Sequence, residues 1–188
     1  MKRLCLQFGA VLLAFLLFGG TAAAQAISSG AQTISLNALV GEGIMMSVST
    51  NTVNFSLAPG RASNPGSTGV TVTTSWNTRP GRDLHIFAFF ASSAAALSNG
   101  LGNNIPSLAF SISANGGAFL PLTNTLAYPG GPYGGAGAGL EIGVPTKITG
   151  TSKKGTRVDN LLFNLDLSTL ALPAGTYTGI LTLRAQAI

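Results

Sequence analysis

His85 is the one histidine of the chain, and Asp83 precedes it by two residues, a spacing that puts both on one face of a strand. With a serine, the pair would supply the base and the orienting carboxylate of a hydrolase. No Gly-x-Ser-x-Gly elbow is present to expose that serine, so His85 reads as a strand histidine beside a turn. Glycoside hydrolysis needs two carboxyl groups facing each other across a cleft. Beyond residue 26 the carboxylates are Glu42, Asp83, Glu141, Asp159 and Asp166. Each reads as lying beside a turn or on a polar strand face, and their spacing pairs none of them. The only cysteine, Cys5, sits near the start of the chain, so the zinc and EF-hand ligand patterns are not met either. These residues predict no catalytic group, no metal and no cofactor, and the chain reads as non-enzymatic.

Binding residues are a second possibility. The run Gly134-Gly135-Ala136-Gly137-Ala138-Gly139 has the glycine content of a phosphate-binding loop. Such a loop needs a buried strand before it and a helix after it, and here a Tyr- and Pro-containing stretch precedes, so the run reads as a flexible loop. Lys153, Lys154 and Arg157 gather around one turn and read as solvated charge, with contact to acidic glycans or a cell surface as the functional alternative. Trp76 shares a strand face with Val70 and Val72, which makes it a core residue. Tyr128 and Tyr133 fall in a loop with no side chains to pack against, so their rings are the candidates for stacking on sugar or touching a partner.

The elements that would position these residues are strands. Ile44, Met46 and Val48 alternate, as do Val53, Phe55 and Leu57, and Val70, Val72, Thr74 and Trp76 share one face. Residues 84–90 are apolar on both faces, as in a central strand. Residues 92–97 could form one helical turn. Asn115-Gly116-Gly117 is a hairpin signal between two apolar runs. Leu161, Phe163, Leu165 and Leu167 alternate again, and a final strand runs from Tyr177 through Leu181, Leu183, Ala185 and Ala187. The last two strands are expected to pair with each other. The fold class is therefore all-β, an antiparallel immunoglobulin-like β-sandwich of about nine or ten short strands.

The start of the chain carries Lys2 and Arg3, an apolar run over residues 10–18 and small residues around Ala24 and Ala26. That is the pattern of a cleaved signal peptide over residues 1–26, with residues 27–188 left as a single β-sandwich domain. No run is long and apolar enough for a membrane span, and the expected location is secreted or periplasmic, at the cell surface. Charged residues make up only 8% of the chain. Beyond residue 26 eight basic and five acidic residues remain, too mild and scattered a balance for a nucleic-acid partner.

Residues 173–183, Pro-Ala-Gly-Thr-Tyr-Thr-Gly-Ile-Leu-Thr-Leu, together with the leader and the alternating stretch at residues 31–40, resemble bacterial secreted β-sandwiches of the spore coat protein U and fimbrial (pilin-like) kind. There a similar Pro-x-Gly-x-Tyr turn leads into the last strand. The resemblance implies a non-catalytic subunit that assembles with itself or with other surface subunits, through a chaperone and usher, by donating an N-terminal strand. On this chain the donated segment would carry Ile34, Leu36 and Ala38; the alternative is an ordinary first strand pairing within its own domain. The chain departs from many such subunits in lacking a cysteine pair and in having Ala187 where an aromatic residue often stands. Tyr177 resembles the tyrosine corner of Greek-key sandwiches, whose hydroxyl bonds backbone near a turn. The functional expectation is an exported structural or adhesive protein, with a carbohydrate-binding module of the cell envelope as the alternative.

Overall fold

The computed structural model describes residues 35, 36, 38 and 41–188. The expected signal peptide and most of the 31–40 strand lie outside the described residues. Contacts divide the chain into residues 1–39 and 40–188, and the architecture below is that of the second unit.

Its strands are β1 (Gly43–Val48), β2 (Asn64–Pro65), β3 (Val70–Asn77), β4 (Asp83–Phe89), β5 (Leu97–Ser98), β6 (Asn104–Ile105), β7 (Phe110–Ala114), β8 (Leu120–Pro121), β9 (Gly139–Glu141), β10 (Thr146–Lys147), β11 (Lys154–Leu165) and β12 (Thr182–Ala187). Twelve exceed the expected nine or ten because several are two-residue pairings. The only helical element among the described residues is a short 3-10 turn at Ser107–Ala109, and the turn expected at 92–97 is not formed.

All pairings are antiparallel. The first sheet runs β1-β3-β11-β7-β8, with β2 also on β11. In the second, β4 pairs β12 along one edge, and β9 and β10 along the other. The sheets face each other across one core. Val70 and Val72 of β3, Ile112 of β7 and Leu161, Phe163 and Leu165 of β11 meet Ile86 and Ala88 of β4 and Leu140 of β9 there. Alternation explains the layers: along β3 every second residue from Val70 to Trp76 is buried. As read from its sequence, β4 buries apolar side chains on both faces, Leu84, Ile86 and Ala88 on one and Phe87 on the other.

The β7–β8 hairpin turns where Asn115-Gly116 requires it. Both residues have positive φ, 53° and 75°, and the Gly117 amide donates to Ala114 O at 2.9 Å, the geometry of a type I′ turn.

Three expectations fail. Val53, Phe55 and Leu57 do pack against the core, but residues 53–57 form no ladder, only an isolated bridge from Phe55 to Gly66. Alternating burial needs only an extended backbone, not a bonded neighbour. The last two strands do not pair. β11 belongs to the first sheet and β12 to the second, because residues 166–181 cross from one layer to the other. The final strand is also shorter than expected, beginning at Thr182. Tyr177 does form the corner expected of it, donating its hydroxyl to Pro173 O at 3.0 Å.

Candidate functional site

On the outer face of the second sheet, alternate residues of β4 (His85, Phe87 and Phe89) lie beside Arg184 and Gln186 of β12 and Glu141 of β9. The segment between β8 and β9 folds over them. Phe87 has no exposed surface, and Tyr133 keeps only 4%; with Leu126 they form a satellite core against which Phe89 and Tyr128 pack. This overturns the expectation that Tyr128 and Tyr133 have nothing to pack against. An aromatic side chain aimed outward from a central strand provides that surface. Tyr133 stacks on Phe87 at 5.5 Å and carries Arg184 over its ring at 4.4 Å. Its hydroxyl lies 3.0 Å from Pro129 O and 2.7 Å from Gln186 Oε1, while Gln186 Nε2 donates to Pro129 O at 2.6 Å. Tyr128 is half-buried, 4.5 Å from Phe87 and 5.3 Å from His85 between ring centres.

The glycine run is packed as well. Gly134, at φ +74°, lies so close to Phe90 O and the Phe89 side chain that no Cβ would fit. Gly135 donates its amide to Phe90 O at 2.9 Å.

His85 pairs with Glu141 rather than with Asp83: Nδ1 is 2.6 Å from Oε1. The other oxygen of Glu141 accepts from the Tyr128 hydroxyl at 2.9 Å. That bond first, then burial and the carboxylate charge, hold the Tyr128 proton above the ordinary tyrosine value. Among the described residues no serine is a hydrogen-bond partner of His85 or Glu141. Glu42 and Asp166 have partners of their own. Glu42 accepts from the Arg79 amide at 2.8 Å and pairs with Arg79 and Arg82 at 3.3 and 3.6 Å. Asp166 accepts from the Ser168 hydroxyl and amide, which holds its carboxyl below the ordinary aspartate value.

Asp159 and Arg157 correct two further expectations. Both lie on the inward face of β11, in step with Leu161 and Phe163. Asp159 is 1% exposed, accepts from Asn115 Nδ2 at 2.9 Å and lies 2.8 Å from Arg157 Nε. The Arg157 guanidinium then crosses to the β9–β10 connection and donates to Ile142 O at 3.0 Å and Val144 O at 2.7 Å. It is a strut between layers rather than solvated charge, and only Lys153 and Lys154 of that predicted trio are free at the surface.

The third feature is an open edge. Asp83 and Ile188 exchange both backbone bonds, at 2.9 and 3.0 Å. By the alternation of antiparallel ladders, the amides and carbonyls of Leu183, Ala185 and Ala187 point away from β4. No strand among the described residues pairs with that edge, and β1 bonds only β3. A recess of about 290 Å³ separates the two edges, lined by Gly43 and Ile44 on one side and Ala185 and Ala187 on the other, with Glu42 and Arg82 at its end. Leu183 and Ala185 are only half-buried although they face the core, whereas Ile86 and Ala88 beside them are closed off. Of the expected strand-donating residues, Leu36 and Ala38 are exposed and Ile34 lies outside the described residues.

The chain matches no protein-family model, no curated protein and no solved structure.

Sequence reasoning named Glu141 but not its pairing with His85, and missed Gln186 and the second Tyr corner. Pro129-Gly130-Gly131-Pro132-Tyr133 has the same Pro-x-Gly-x-Tyr spacing as Pro173-Ala174-Gly175-Thr176-Tyr177. Each tyrosine hydroxyl lies 3.0 Å from the carbonyl of its own proline, so the repeated spacing was the available signal.

Proposed function

We propose that this is an exported, non-catalytic structural subunit of a cell-surface assembly, of the spore coat U or fimbrial type, held to its neighbour by β-strand addition. The observation that carries the reading is the edge of β12 that no strand among the described residues pairs, with core-facing Leu183 and Ala185 left half-buried beside it. A strand laid there would satisfy the free backbone groups and complete the apolar cover at once. The segment bearing Ile34, Leu36 and Ala38, from a second copy, has the alternation such a strand needs.

The test is the exported full chain with and without Ile34→Asp/Leu36→Asp. Oligomers that survive detergent, dissociate on heating and vanish in the double variant are expected. A monomer at every concentration would refute the proposal. A sugar-binding module of the envelope is the second reading, and it now rests on Tyr128 alone, whose ring is still partly exposed while that of Tyr133 is covered.

A further inference from the structure

Five of the eight basic residues in the described chain stand at one end of the sandwich: Arg79, Arg82, Lys147, Lys153 and Lys154. They come from separate stretches of sequence, and hydrogen bonds fix the turns that bear them side by side. Thr78 N donates to Lys153 O at 2.8 Å, Gly81 N to Ile148 O at 2.9 Å and Ile148 N to Arg82 O at 2.8 Å. Ladder register adds Lys154 opposite Asn77 and Lys147 opposite Asp83.

Among the side chains there, Glu42 and Asp83 oppose these charges, Glu42 by pairing with Arg79 and Arg82. The other described residues hold three basic groups (Arg61, Arg157, Arg184) and three acidic ones (Glu141, Asp159, Asp166). The net positive charge of the described protein therefore resides wholly at this end. In a chain so poor in charge, a local excess within about one Debye length, roughly 10 Å at 0.1 M salt, dominates the field a ligand meets. The intervening side chains are hydroxyls: Thr149, Thr151 and Ser152 form a hydrogen-bonded group within the same turn.

We propose that this end of the sandwich binds an acidic polysaccharide, the cations meeting its carboxylate or sulfate groups and the turn hydroxyls meeting its sugar hydroxyls. Residues 79–82 and 149–154 contain no aromatic or large aliphatic side chain, so the turns have nothing to insert into a bilayer. That favours a glycan over a lipid surface. The site meets the β12 edge at Arg82 and Glu42, which also line the recess there; its other cations stand on turns outside that recess, and the proposal holds whether or not the chain polymerises.

The test uses the exported full chain with polygalacturonate as probe, dextran as the neutral control and phosphatidylglycerol vesicles as the competing surface. Binding to polygalacturonate and not to dextran is expected, weakening by about tenfold or more between about 50 and about 300 mM NaCl. Lys147→Gln/Lys153→Gln/Lys154→Gln should lose about tenfold at low salt, and Arg79→Gln about threefold. Arg61→Gln removes the same charge elsewhere and should change nothing. Unaltered thermal unfolding of each variant ties a loss to the surface rather than to the fold. Binding to vesicles without binding to polygalacturonate would overturn the proposal, as would equal losses from Arg61→Gln or no binding at low salt.

Discussion

Replacing Arg157 by Met separates a strut from surface charge. If Arg157 were a solvated cation at a turn, its loss would cost about 0–1 kcal/mol. The structure gives a different figure. Asp159 is 1% exposed, and Arg157, 15% exposed, is its ionic partner. Removing one member of a buried pair leaves the other uncompensated and costs about 3–5 kcal/mol. That is a fifth or more of a typical domain stability of about 5–15 kcal/mol. With a urea slope of about 2 kcal/mol per M, the unfolding midpoint falls by about 1.5–2.5 M. Trp76 is the chain's only tryptophan, is buried and donates Nε1 to Ser152 O at 2.9 Å, so its fluorescence follows the transition. Adding Asp159→Asn should restore most of the loss, because no charge is then stranded and an amide oxygen still faces Asn115. A midpoint shift below about 0.5 M for the single variant, or strictly additive effects in the double one, would refute the reasoning.

Two further outcomes follow from the geometry. Gly155 lies against the Trp76 indole so closely that a Cβ would overlap the ring; Gly155→Ala should cost about 1–3 kcal/mol and shift the Trp76 emission, whereas an unchanged spectrum and midpoint would show that the ring has room to move. Tyr128 keeps its proton above the ordinary value of 10.0 through Glu141, so the unfolded chain ionises first and this contribution to stability is full below about pH 10 and lost as pH rises toward the folded value. Absorbance at the phenolate band during alkaline titration should show Tyr128 ionising late, and Glu141→Gln should bring it back toward the ordinary value.

Alternation made the layers legible. Val70 to Trp76 and the two-sided apolar run of β4 could be placed because burial dictates a period of two, and Asn115-Gly116 because few other residues adopt its turn. The same rule, carried back from Leu161 through β11, puts Asp159 and Arg157 on the inward face. A reading that assigns charge to solvent stops short of that step, since it takes a partner distant in sequence to make an inward charge tolerable. The partners here are Asn115 and the carbonyls of Ile142 and Val144. Tyr133 was hidden for a related reason: its packing surface is Phe87, contributed by a strand that looked fully occupied by the main core. The open edge of β12 could not be read at all, because the residue types of a strand do not say how many neighbours it has.

The crossing between β11 and β12 also sets an order of events. β4 is made early, yet the partner for its whole length, from Leu84 opposite Ala187 to Phe89 opposite Thr182, is supplied only when residues 182–187 emerge. Throughout elongation one flank of the second layer stays unfilled, and a long-range closure of this kind is slow and exposed to misassociation. A polypeptide wired in this way gains from being kept unfolded until β12 has been made, and its yield on refolding should fall steeply as its concentration is raised.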